Sequence, residues 1–316
     1  GWPRAEGNPY VFDFATSVYQ AFGCLPDLFG DTLVDLDKEF NPLPASAESW
    51  SVADDGVTWS FKLREGLMWS DGTPVTAHDY VATFRLEATP EHGWDFSWFY
   101  SFIGTGGIRN WTSIVAGERP PEELGVRAVD DLTLEVVTEG TFPPLPSVMK
   151  FSFVLQKRAL EEHGPFYNND VATSVSSGPY VLVEFDPGNR IVVEANPAYT
   201  GYRPARLARI EGIYMSPATF FIAFENGEVD MVTYDALTPA DYALIERDPV
   251  LTDNYLRHAG NSVLRDRMFR DAERILVDDV GGVFIAHRLQ GDLFKPYILG
   301  DSLREPDANG GLGRHW

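Results

Sequence analysis

The stretch SFKLREGLMWSDGTPVTAHDYVATFRLEAT, Ser60 to Thr89, constrains the fold more than any other part of the chain. Trp59, Phe61 and Leu63 alternate with Ser60, Lys62 and Arg64, the period-two pattern of a strand with one buried face. Glu65-Gly66 turns that strand and Met68-Trp69 makes a brief second extended piece. Ser70-Asp71-Gly72-Thr73 then turns again, Gly72 being able to take a positive φ. Thr76, three residues before Asp79, predicts a capping box and a helix over 77–88 with Val81 and Phe84 on its buried side. The run is strand, turn, short strand, turn, helix.

The same reading gives elements elsewhere. SVYQAFGCLPDLFGDTLVDLD predicts a helix from Ser17, broken near Pro26 and followed by a short strand. LGVRAVDDLTLEVVTEG is a hairpin turned at Asp130-Asp131, and SSGPYVLVEFDPGNRIVVEANPAY is a second, turned at Asp186-Pro187-Gly188-Asn189. SPATFFIAFENG predicts a helix that closes on Gly227, VDMVTY a strand, and TPADYALIERDP a helix opened by Thr238 with proline first. VLRDRMFRDAERILVDD and GVFIAHRL read as a last helix and strand, and the tail from Arg304 as loose. Between Gly93 and Glu118 lies a loop-like segment dense in rings: Trp94, Phe96, Trp98, Phe99, Tyr100, Phe102 and Trp111. Either these rings form a satellite core under a long loop, or they wall a ligand cleft, where they stack on peptide or sugar faces.

Charge and composition exclude several chemistries. Acidic residues outnumber basic ones 47 to 25, for a net charge of −22, which argues against nucleic acid as a partner. The six histidines are scattered with no HxxxH or HxH pair, so no metal or other cofactor is expected. Cys24 stands alone and reads as a small buried hydrophobe. The acid pairs Asp54-Asp55, Glu122-Glu123, Asp130-Asp131, Glu161-Glu162 and Asp278-Asp279 read as turn formers or solvated faces. A glycosidase needs carboxylates facing each other across a cleft, so a carbohydrate hydrolase is the weaker alternative. No run reaches the length of about 18 apolar residues that a membrane span needs. GWPRAEGNPY has neither a basic nor an apolar leader region, so an export signal is expected to have been removed.

AESWSVADDGVTWSFKLREGLMWSDGTPVTAHDY resembles the signature region of the family 5 extracellular solute-binding proteins, the oligopeptide and dipeptide receptors of ABC importers. EELGVRAVDDLTLEV, SSGPYVLVEFDPGNRIVVEANPAY, AFENGEVDM and AERILVDDVGGVFIAHRL resemble further segments in that family's order. The resemblance implies a mixed α/β, periplasmic-binding-protein type II-like lobe. Its main subdomain would be residues 1–30 with 175–316, and 31–174 an inserted α+β subdomain. In the family a second lobe follows the segment matching DPVLTDNYLRHAG. Here His258-Ala259-Gly260 runs straight into Asn261-Ser262-Val263, so that lobe is expected to be absent between 260 and 261.

The function implied is the solute-binding component of an ABC importer, without catalysis. It would work in the periplasm or as a cell-surface lipoprotein, with the importer's permease subunits as partners. Its ligand would be a peptide or, in the alternative, an oligosaccharide stacked on Trp94, Trp98 and Trp111. By resemblance the ligand contacts fall in three places: the main chain of Ser17, Val18 and Tyr19; the aromatic residues Trp98, Phe99 and Tyr100; and Tyr234, Asp235 and Ala236. Asp235 stands where some peptide receptors carry Asn. The SDGTP signature serves the fold instead of the ligand.

Overall fold

The computed structural model describes residues 2–3, 13–17, 28–37, 40–101, 107–232, 237–253, 255–257 and 291–294. These pack as two compact units, one of 6–36 with 41–212, the other of 1–5, 37–40 and 213–315.

The larger unit is built on an antiparallel sheet in the order 47–52, 58–63, 133–137, 126–130. Thr58–Leu63 alternates as the sequence predicts: Trp59, Phe61 and Leu63 are buried and the residues between them are not. The helix Ala77–Ala88 lays Ala77, Tyr80, Val81, Phe84 and Ala88 into the same core as Phe61, Leu134 and Val136. Those helix positions recur at three and four residues, which puts them on one face. At its start the Thr76 N–H and hydroxyl both donate to the Asp79 carboxylate, at 2.8 and 3.1 Å.

The signature turn is tied down from outside. Asp71 accepts the Thr73 N–H at 2.9 Å and the Gln156 side chain at 2.9 Å, and it pairs with Arg158. Asp79 also accepts the Lys157 N–H at 2.9 Å. Two aspartates of one turn and helix start thus anchor the distant 156–158 segment, and that accounts for the residue types without a ligand. Two acid pairs likewise sit at turns: Asp55 accepts the Val57 and Thr58 N–H groups, and Asp130 the Leu132 N–H and the Thr133 hydroxyl.

In the larger unit a second sheet runs 180–186, 190–195 and then residues 209–212. The first two strands form the predicted hairpin, turned where Gly188 has φ 77°. Gly178, just before it, is required by close approach. A Cβ there would lie 2.5 Å from the carbonyl carbon of Phe29, whose oxygen accepts the Gly178 N–H at 2.9 Å. That contact fastens the hairpin to the 28–36 segment.

Beneath it lies a buried ionic network. Asp31 accepts the Tyr199 hydroxyl at 2.8 Å and lies 3.5 Å from Arg203, and Asp35 accepts the Tyr202 hydroxyl at 3.0 Å and pairs with Lys150 at 2.7 Å. Burial pushes Asp31 up to about 6, against the opposing pull of Arg203.

In the smaller unit the helices Pro217–Glu225 and Pro239–Ile245 bury Phe220, Phe221, Phe224 and Ile245 beside Val232 and Leu237. Strands 231–232, 291–294 and 255–257 form an antiparallel sheet, and 2–3 runs parallel to 214–215. Gly227 closes the first helix with φ 77°, and Thr238 caps the second through Asp241, both as predicted. No helix among the described residues is long and apolar enough to cross a membrane.

The sequence reading differs from the structure at two places. Ser17 is not helical, and the rest of the helix predicted from it lies largely outside the described residues. The ring-rich segment contains two short helices, Trp98–Ser101 and Trp111–Val115, each too short to show a periodicity. Cys24, the predicted helix over 263–279, the strand over 282–289 and the 260/261 junction all lie outside the described residues.

Candidate ligand-binding site

Segment 13–17 is irregular, and side chains from two distant stretches of the larger unit bond to it. It makes one turn of its own, Thr16 N–H and Ser17 N–H both reaching the Asp13 carbonyl. The Phe14 carbonyl accepts the Trp94 indole N–H at 2.9 Å, and the Ala15 carbonyl lies 2.8 Å from His92 Nε2. The Ser17 hydroxyl donates to Asp95. From the other side Asn168 donates to the Asp13 carboxylate at 2.8 Å, and the Thr16 hydroxyl to the Pro165 carbonyl at 3.0 Å.

Phe14 anchors the segment in a cluster of rings, with centroids 4.7 Å from Phe153, 5.9 Å from Phe96 and 6.1 Å from Trp94. Phe96 in turn stacks on Phe99 at 4.7 Å and meets Trp98 edge-on at 4.8 Å. Residues 13–17 and 96–100 therefore share one aromatic cluster. Within it the three rings have different surroundings. Trp98 is 47% exposed, Phe99 is partly buried against Phe151, and Tyr100 is 0% exposed, packed on Phe84 and Trp111. Trp94 and Trp111 are buried too, so of the three tryptophans expected to stack on a sugar Trp98 alone offers a face to solvent.

A cavity of about 10 Å³ opens between Asp13, Phe29, Trp69, Phe153, Asn168 and Ser177. It has room for about one water and none for a peptide. Burial pushes Asp13 up to about 7, with the Asn168 bond acting the other way. Asp13 therefore changes charge near neutrality at the root of the segment. No group of three His, Cys, Asp or Glu that could hold a metal occurs among the described residues.

Ser17 is buried beside Asp95, while Val18, Tyr19, Tyr234, Asp235 and Ala236 lie outside the described residues. Asp13, His92, Asp95 and Asn168 escaped the sequence reading because their partners lie far away in the chain. Trp94 was visible only as one ring among several.

Residues 41–266, well over half of the chain, match the family model described as bacterial extracellular solute-binding proteins, family 5 Middle. The chain belongs to this family. It is similar to the periplasmic oligopeptide-binding protein OppA of Salmonella typhimurium, 32% identical over 299 residues, covering 89% of this chain and 53% of the relative. It is also 32% identical over 208 residues to the probable deoxycholate-binding periplasmic protein YgiS of Escherichia coli, covering 65% of this chain and 38% of that one.

Among solved structures, the substrate-binding domain of an oligopeptide ABC transporter from Bacillus anthracis superposes with a TM-score of 0.67 at 26% identity. The match covers 82% of this chain and 50% of that one. The mixed α/β, type II-like lobe expected from the sequence is thus the observed fold class. This family 5 chain spans about half or less of the length of these relatives.

Proposed function

We propose that this chain is the ligand-holding part of an extracytoplasmic solute-binding component of an ABC importer that takes peptides and carries out no catalysis. The observation that carries this reading is the likeness to an oligopeptide-binding protein across 89% of the chain. The pinned 13–17 segment under an aromatic cluster supports it, because an extended peptide is gripped through main-chain hydrogen bonds and flat rings. Ser17, Val18 and Tyr19 present main chain to the ligand, Trp98 and Phe99 border it, and Tyr234, Asp235 and Ala236 complete the contact.

In this reading the chain is one lobe, with a main subdomain of 1–30 and 175–316 and an insertion of 31–174. A second lobe belongs between 260 and 261 and closes on the ligand by a hinge. The separate four-stranded sheet within 47–137 supports the insertion. The protein works in the periplasm or anchored as a lipoprotein, and its partners are permease subunits.

The test is a thermal-shift panel on the protein as encoded by its complete reading frame. The panel is an equimolar tripeptide library, maltotriose and deoxycholate. A ligand that binds only the folded state at 100 times its Kd stabilises by about 2.7 kcal/mol, so the tripeptide library is expected to raise Tm by several degrees. A shift with maltotriose or deoxycholate and none with the library would replace the peptide reading.

A further inference from the structure

We propose that His92, Trp94 and Asp95 are positioning residues: one short stretch that sets the main-chain geometry of 13–17 and so fixes Ser17 at the edge of the proposed ligand contact. The proposal rests on the receptor reading above for its ligand half.

The geometry is specific. Three side chains from four consecutive positions engage three different residues of one irregular segment, at Phe14 O, Ala15 O and Ser17 Oγ. Because Ala15 O can only accept, the His92 Nε2 facing it must carry the proton. Each bond fixes a different residue, so together they specify one backbone path. A segment without strand or helix neighbours has no ladder to do this, and ordering it costs about 1–2 kcal/mol per residue.

The stretch is itself held to the core. The Trp94 ring lies 5.8 Å from Tyr100 and 6.4 Å from Trp111, the His92 N–H reaches the Thr89 carbonyl at the helix end, and the Ser97 N–H reaches Trp94. On the opposite side Asn168 and the Pro165 carbonyl grip Asp13 and Thr16. A ligand reaching Ser17 then meets main chain whose ordering cost is already met, which is how preorganisation raises affinity.

The test compares wild type, the double variant His92→Ala/Asp95→Ala and the conservative pair His92→Gln/Asp95→Asn, which keeps a donor and an acceptor at the two sites. Two readouts are taken on the protein from its complete reading frame. One is amide hydrogen exchange without ligand, and the other the library concentration giving half the maximal thermal shift. The double variant is expected to exchange the 14–17 amides at least tenfold faster, with 58–63 unchanged, and to need about tenfold more library; the conservative pair should restore both.

Unchanged exchange at 14–17 overturns the clamp. Faster exchange with an unchanged half-maximal concentration overturns its role in binding. A wild type that gives no response to the library overturns the receptor reading and the ligand half of this proposal with it, while the exchange ratio still decides whether 92–95 holds the segment.

Discussion

Replacing Lys150 by methionine is expected to lower the melting temperature by about 6–20 °C. Lys150 is 2% exposed and its ammonium lies 2.7 Å from Asp35, whose side chain is 12% exposed. Removing one partner of a buried pair leaves the other charge uncompensated. That costs about 3–5 kcal/mol, and a domain of this size loses about 2–4 °C per kcal/mol. The Leu36 N–H and the Tyr202 hydroxyl still reach the Asp35 carboxylate at 2.9 and 3.0 Å, but neither neutralises it. Lys150→Met with Asp35→Asn should recover more than half of the loss, because an amide keeps an acceptor for Tyr202 and carries no charge. Differential scanning calorimetry of the three proteins decides it. A single variant within 2 °C of wild type would mean that water reaches the pair.

The second large effect has the opposite sign. Glu87→Met is expected to stabilise the protein at pH 8. Glu87 is 1% exposed on the core side of the helix Ala77–Ala88, and one of its carboxylate oxygens is buried without a hydrogen bond. Burial drives its pKa well above the ordinary carboxyl value of 4.5. The unfolded chain releases this proton near 4.5, while the folded chain holds it to higher pH. The folded state therefore binds more protons above 4.5, and stability falls as pH rises from there toward the folded value.

Methionine has a similar shape and no charge, so it removes a buried acceptor whose isolation costs about 1–3 kcal/mol. It should also flatten the loss of stability between pH 5 and 8. Asp13, raised to about 7, and Asp31, raised to about 6, contribute slopes of the same sign that the substitution leaves in place. Urea midpoints at pH 5 and pH 8 measure this. A variant less stable than wild type at pH 8 would mean that the carboxylate has a partner.

The contrast between these two residues and the signature turn shows what a linear reading can reach. The helix 77–88, its Thr76–Asp79 start, the alternating strand at 58–63 and both hairpins are written in local spacing, and each depends on neighbours a few residues away. Glu87 stands three residues after Phe84 and seven after Tyr80, so its place on the buried face is implied by the helix period. Its isolation is not implied, because that depends on Tyr100 arriving from another segment, its phenol equally buried and unpaired.

The network of Asp31, Asp35, Lys150, Tyr199, Tyr202 and Arg203 joins residues well over a hundred positions apart, and no window contains it. The aromatic segment failed to sort itself for a related reason. Buried Trp94, Tyr100 and Trp111 and exposed Trp98 have the same local composition, and only packing separates them, Trp94 on Phe14, Tyr100 on Phe84 and Trp111 on Tyr100.

Amide exchange with and without a saturating tripeptide library, on the protein from its complete reading frame, tests the central claim most directly. If this chain holds peptides through main chain presented by 17–19 and the rings beside it, the library should slow exchange in fragments covering 17–19 and 96–101, and leave the sheet of 47–63 and 126–137 unchanged. Protection confined to other segments, or none at either of these two, would contradict it.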